Sequence, residues 1–384
     1  MSVSIFRKVL FALASSLLFV TSASAEQKYN MTQGVTEISH QVYDLHMLIF
    51  WLVTVVGIIV FAVMIYSIMF HRKSRGAVAA QFHESTKVEI VWTTIPFIIL
   101  VLIAIPATKT LLAIEDTDSD VDMSIKITGH QWKWHYEYMD EDGISFFSAL
   151  DAKSNEVRQL HSGKDPKEVE NYLLNVDNPL VIPVKKKVRF LITANDVIHS
   201  WWVPAFGMKR DAIPGYINEY WANVEEPGTY RGQCAELCGK DHGFMPIVVV
   251  AKEEADYKKW VNEQKARARA AADEEASGKV WAMGELMARG EKLYNSTCAS
   301  CHMVNGEGIP NVFPALKGSA IATGPVASHL DIVVHGSKKN PAMVAFGKQL
   351  SNVDLAAIIT YERNAWGNNT GDVVQPSAIA EIKK

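Results

Sequence analysis

Two clusters of metal-ligating side chains carry the chemistry of this chain. The denser one is Cys234-Ala-Glu-Leu-Cys238-Gly-Lys-Asp-His242-Gly-Phe-Met245, with His199 earlier in the segment HSWWVP. Two imidazoles, one thiolate and a weak axial thioether make a single-copper electron-transfer site. Here a second thiolate is added. Two bridging cysteines, one histidine per metal, Met245 and a backbone carbonyl at Glu236 would then serve a pair of coppers. An electron shared over two bridged ions changes bond lengths little, which suits fast transfer. Two other chemistries use the same residue types. Outside the cytoplasm Cys234 and Cys238 could close a disulfide, and zinc also accepts Cys and His. Met245 favours copper, because a thioether is a poor zinc ligand.

The second cluster is Cys298-Ala-Ser-Cys301-His302. This spacing attaches a c-type haem through two thioethers, with the adjacent histidine on the iron. A Cys-x-x-Cys redox disulfide leaves that histidine unexplained. The opposite face of the haem needs another ligand, and Met303 is too close to His302 to reach it. Met343, in NPAMVAFGKQLS, is the only later methionine and can fold over that face. Thioether ligation raises a haem potential, which suits delivery of electrons to copper. His329 and His335 are rivals expected at the surface.

The elements that must position these groups follow from composition. The 384 residues are 48% hydrophobic and 21% charged, with a formal net charge of −4 and four cysteines. Near-neutral charge argues against a nucleic-acid partner, which selects a basic face, and four cysteines are too few for a disulfide scaffold. A mean hydropathy of +0.03 averages a very apolar part with a very polar one. Residues 1–25 carry Arg7 and Lys8, a short apolar core and Ala23-Ser24-Ala25, the pattern of a signal peptide. Residues 47–70 and 90–108 are uncharged, long enough to cross the bilayer as helices over about 46–70 and 89–113. Pro96 and Pro106 are tolerated in such a helix. Between the two runs, Arg72, Lys73, Arg75 and Lys87 outnumber Glu84 and mark the cytoplasmic side. Everything past Thr108 is thus expected to be extracytoplasmic, on the periplasmic or outer side of a bacterial inner (cell) membrane.

Beyond the N-terminal segment and helices of residues 26–114, residues 115–252 read as short strands. VDMSIKITG, HQWKWHYEY, LVIPVKKKVRFLITAN and MPIVVVAK alternate apolar with polar residues, and Pro-Gly and Asn-Pro turns separate them. Residues 253–283, rich in Ala, Lys, Arg and Glu, predict a solvent-exposed helical linker. Residues 284–370 predict a small helical domain, followed by a loose tail at 371–384.

GHQWKWHYEY, IHSWWVPAFGMKRDAIPG and QCAELCGKDHGFMPIVV together resemble subunit II of the haem–copper cytochrome c oxidases, over about residues 30–250. The resemblance implies a multi-domain membrane protein: a two-helix transmembrane hairpin and an all-β cupredoxin-like domain holding a binuclear copper centre, CuA. His199, Cys234, the Glu236 carbonyl, Cys238, His242 and Met245 fall on the family's copper ligands. The Glu236 carboxylate falls on a ligand of Mg2+ or Mn2+ shared with subunit I. Trp132 matches the tryptophan that receives electrons from cytochrome c, and Glu89 the mouth of a proton path. Lys133 and His135 depart from the family's usual residues beside Trp132, while Glu137, Asp140, Glu141 and Asp142 form an acidic run able to attract a basic donor. The last domain resembles all-α class I cytochromes c, the arrangement of caa-type oxidases. The implied role is electron input to subunit I, alongside subunit III and membrane lipid, for reduction of O2 to water with proton translocation. A CuA-containing nitric-oxide reductase subunit, a stand-alone membrane-anchored carrier and a copper-delivery or thiol-redox protein are the alternatives.

Overall fold

Where no water can satisfy a backbone, the helix is the favoured structure, and both uncharged runs adopt it. The computed structural model describes residues 29–159, 162–310, 312–340 and 343–384, so the signal peptide expected at 1–25 lies outside the described residues. Helix α1 spans Glu37–Phe70 and α2 spans Thr86–Glu115, continuous through Pro96 and Pro106. Apolar side chains such as Trp51, Ile58, Phe97 and Leu100 are exposed along them, as a lipid-facing surface requires. Helix α1 starts well before residue 46. Thr36 and Ser39 cap it reciprocally, with the Ser39 amide on Thr36 Oγ1 at 3.1 Å and the Thr36 amide on Ser39 Oγ at 2.9 Å. The chain divides into a compact unit holding residues 40–106 and a second holding 35–39 and everything from 107 onward.

In the second unit, strict alternation builds a two-sheet sandwich. One sheet orders β3 (Ser145–Ser148), β2 (Lys133–Tyr138), β1 (Met123–His130), β5 (Lys187–Ala194) and β8 (Asn218–Asn223). The other orders β4 (Leu180–Pro183), β10 (Pro246–Lys252), β9 (Gly228–Cys234), β6 (His199–Val203) and β7 (Met208–Ala212). β1 runs parallel to β5, with Ile125 opposite Phe190 and Ile127 opposite Ile192, and β10 runs parallel to β4. Ile125, Ile127, Trp134, Tyr136 and Phe190 are fully buried between the sheets. Each such side chain contributes about 1.5–3 kcal/mol. A one-residue slip would turn the whole set outward, so the pattern itself fixes the register. A short helix, α3 (Ala152–Val157), is capped by Asp151 between β3 and β4.

The charged segment forms helix α4 (Glu254–Ala276), but it is a strap rather than a free rod. Tyr257 and Val261 are buried in the sandwich core, Trp260 packs against Tyr138 with ring centres 5.3 Å apart, and Lys265 pairs with Glu141 at 2.5 Å. Its far end binds the helical domain: Glu274 pairs with Arg289 at 2.9 Å and Glu275 accepts the Asn352 amide at 3.1 Å. Five helices follow: α5 (Met283–Thr297), α6 (Ala299–His302), α7 (Val326–His335), α8 (Asn352–Asn364) and α9 (Pro376–Ile382). The tail expected to be loose carries α9, with Val374 and Ile379 buried in the helical core. Arg363, almost fully buried, bonds the Ala322 and Gly324 carbonyls and Asp372 and so anchors the start of that tail.

Helices α5 and α8 cross at Gly290, where an added Cβ would lie 2.1 Å from the Ala357 carbonyl oxygen. The contact is backbone to backbone and cannot be relieved by a rotamer change. Gly290→Ala is expected to force the crossing apart and cost about 1–3 kcal/mol despite alanine's better helix propensity, read from the guanidinium unfolding curve of the purified chain.

Candidate functional site

The first cluster is built where the sandwich ends. His199 opens β6, Cys234 closes β9, and the loop between β9 and β10 carries Cys238, His242 and Met245. The Cys234 amide bonds the Met245 carbonyl at 3.1 Å and pinches this loop shut at its neck. The sulfurs of Cys234 and Cys238 are 3.7 Å apart, Cys238 Sγ is 3.6 Å from His242 Nδ1, and Cys234 Sγ is 3.4 Å from the Glu236 carbonyl oxygen. At that separation both thiols are free rather than bonded to each other. Met245 is buried beneath them, and Glu236 is half-buried beside the exposed Leu237.

The donor set suits copper on its own terms. The His199 ring is fully buried, with Nε2 bonded to Asp196 Oδ1 at 2.8 Å and Nδ1 buried without a partner. A buried unpaired nitrogen is costly, and a metal ion would satisfy it. The donor atoms of His199, Cys234 and Cys238 all lie within 4.8 Å of one another. Gly129 makes room for the ring: a Cβ there would meet His199 Cδ2 at 2.8 Å. The Cys234 thiol is held below its usual range by a hydrogen bond from the Cys238 thiol, against the cost of burial and with help from His199. Cys238 is raised by the same bond and by burial.

The second cluster surrounds a cavity of about 1660 Å³, its mouth included. Cys298, Cys301, His302, Met343, Phe313 and Leu316 are among its walls. His302 is buried and its Nδ1 is fixed on the Pro314 carbonyl at 2.8 Å, which sets the ring and leaves Nε2 available to iron. His335 lies at the surface on Asp331, as expected. His329 does not: it is 1% exposed, bonds Glu362 Oε2 through Nε2 at 2.8 Å, has an unpartnered Nδ1 and lines the same cavity. Its position one helical turn before Val333, on the buried face of α7, is the signal that could have placed it.

Trp132, Lys133, Gln131 and Arg158 of the sandwich also line this cavity. Trp132 is half-buried there, and its indole N–H donates to the Cys238 carbonyl at 3.1 Å. Lys133 lies over the rings of Phe147 at 4.3 Å and Phe346 at 5.2 Å, one from each domain, and burial pushes its ammonium down to about 8. Most of the acidic run is engaged inside the fold: Glu137 pairs with Lys126, Asp140 accepts the Ser124 amide and Glu141 holds α4. Glu89 sits in the first turn of α2, accepting the Ser85 amide at 3.4 Å.

Residues 24–110 match the family model described as cytochrome c oxidase subunit II, transmembrane domain, and residues 123–252 that of its periplasmic domain. Residues 285–361 match the model described as cytochrome c oxidase, cbb3-type, subunit III. A probable cytochrome c oxidase subunit 2 of Rickettsia bellii is 36% identical over 260 residues, covering 67% of this chain and 93% of that one. Its counterpart in Rickettsia prowazekii is 38% identical over 253 residues, covering 66% and 77%. Among solved structures, the periplasmic domain of subunit II of cytochrome oxidase from Bradyrhizobium japonicum is 42% identical, covering 38% of this chain and 96% of that one at a TM-score of 0.32. With two membrane-spanning helices, a periplasmic cupredoxin-like domain holding a His/Cys/Cys copper site, and a cytochrome c domain after it, the chain belongs to the cytochrome c oxidase subunit II family and acts in electron transfer within that complex.

Proposed function

We propose that this subunit takes electrons through a covalent haem c and a binuclear CuA centre and delivers them to subunit I. His199, Cys234, Cys238, His242 and Met245, with the Glu236 carbonyl, would hold the two coppers. Cys298 and Cys301 would tether the haem, and His302 and Met343 would ligate its iron. When bound, these groups supply single-electron acceptance from a donor cytochrome and onward delivery to the haem–copper centre that reduces O2 with proton translocation. The observation that carries the reading is Trp132: one side chain both lines the haem cavity and hydrogen-bonds the carbonyl of a copper cysteine. In this arrangement Trp132 receives electrons from the chain's own cytochrome domain, and the external cytochrome c meets that domain instead.

The remaining residues set the surroundings. Asp196 orients the His199 ring, and Pro314 orients His302. The Glu236 carboxylate, a hard oxygen donor next to the copper loop, suits Mg2+ or Mn2+ at the boundary with subunit I. Glu89 lies beside the basic loop between α1 and α2, at the cytoplasmic end of a helix, where a carboxylate can collect protons for subunit I. Subunit III and the lipid of a bacterial inner membrane complete the assembly, with residues 115–252 and 284–370 as the two periplasmic domains and the tail packed onto the second.

The purified complex is expected to show the mixed-valence copper EPR pattern of a shared electron together with a haem c spectrum. Replacing Cys298 and Cys301 by serine is expected to abolish covalent haem and leave the copper pattern intact. Met245→Leu is expected to retain both coppers, checked by metal analysis, while shifting their potential in a redox titration and slowing transfer. Total loss of copper would assign Met245 a structural role instead. Met343→Ala is expected to remove the sulfur-to-iron absorption band and lower the haem potential, and His329→Ala to leave that band in place; the reverse pattern would make His329 the axial ligand.

A further inference from the structure

Between the copper cysteine Cys238 and the copper histidine His242 lies Lys240, and its ammonium reaches out of the copper loop to the helical domain. Nζ donates to the carbonyl of Ser300 at 3.0 Å, the residue preceding Cys301 in the haem-attachment motif. It also pairs with Asp241 Oδ1 at 2.9 Å. Two rings flank it at the outer limit for cation–π attraction: Trp132 of the sandwich at 6.0 Å and Phe313 of the haem cavity wall at 5.9 Å. The aspartate that steadies it is itself buried and is held by Arg158, whose guanidinium covers Phe244 at 4.4 Å. A second tie runs alongside, from Asn155 Nδ2 to the Asn295 carbonyl at 3.2 Å.

An ordinary surface lysine paired with its neighbour would explain the Asp241 contact, but not a bond to a backbone carbonyl sixty residues away in another domain. We propose that Lys240 is a positioning residue for transfer between the two centres: it latches the haem-attachment loop to the copper loop and holds the haem domain against Trp132. The proposal rests on the reading that haem c feeds copper through Trp132. One end of the latch lies in the copper loop and the other in the haem-attachment motif, and neither end is a ligand, so loosening it changes the distance between the centres before it changes either centre. Lys133, spanning Phe147 and Phe346, and the α4 strap limit how far the domains part, so the latch tunes their approach rather than keeping them together.

The test uses the assembled, metal-loaded complex. Electrons are injected photochemically into haem c and the appearance of reduced copper is timed. In parallel, microwave power saturation of the copper EPR signal reports how strongly the nearby oxidised haem speeds its relaxation. Lys240→Ala is expected to slow transfer several-fold, since tunnelling falls steeply as the centres move apart, and to weaken the relaxation effect, with both optical spectra and both potentials unchanged. Lys240→Arg, which keeps charge and donor, is expected to restore both. Lys240→Gln guards against a failure of the alanine variant to load metal, and is expected to carry both centres and be slowed. Transfer at the wild-type rate in Lys240→Ala, or an altered copper spectrum in it, would overturn the proposal. Absence of haem-to-copper transfer in the unaltered complex would instead remove the reading on which it rests.

Discussion

The carbonyl of Cys238 accepts two hydrogen bonds, from Gln131 Nε2 at 2.8 Å and from the Trp132 indole at 3.1 Å. Both donors follow directly from β1, in the sheet opposite the one that carries the cysteines. That pair of bonds joins the two halves of the sandwich at the point where the metal loop is most extended. Besides its neck, the loop from Cys234 to Met245 is tied by these two bonds and by the Arg158–Asp241 pair. The sulfur separation, the open nitrogen of His199 and the position of Trp132 all depend on the loop being held from above as well as from below. A site preformed in this way takes up its metals with little reorganisation, and a site whose geometry barely changes on reduction suits rapid transfer.

Much of this was legible in the chain. The Cys-x3-Cys and Cys-x2-Cys-His spacings fix donor types, and no folding detail is needed to name them. The uncharged runs could only be membrane helices, and strands such as Lys187–Ala194 announce themselves by alternation. What escaped was decided by tertiary contact. Helix α1 extends before its apolar run because Thr36 and Ser39 cap each other, a local bond that no hydropathy window records. The charged linker read as solvated because Tyr257, Trp260 and Val261 are few among many polar residues, yet two buried side chains and a half-buried tryptophan on one face are enough to lay a helix down. His329 looked like a surface residue because its partner, Glu362, lies on a different helix. The tail looked loose because one buried isoleucine, Ile379, carries little weight in a short segment.

The two centres are held by different means. The copper ligands stand on strand ends and a single closed loop, so their placement is inherited from sheet register. The haem cavity is walled by α6, α7, several loops and the neighbouring sandwich. Its shape depends on tertiary contacts such as the Arg363 anchor and the α5–α8 crossing.

The α4 strap carries a further consequence. A soluble donor must find its acceptor by diffusion, and its success depends on concentration and on ionic strength. A donor domain fastened at both ends of one helix is always present at millimolar-scale effective concentration. On the proposed path, the step between the two domains would be first order, indifferent to how much protein the membrane holds and largely to the salt around it. Only the encounter with the outside donor remains a collision. On the proposed electron path, carrying its own cytochrome on this tether would let the chain move the salt-sensitive, concentration-limited event outward by one domain.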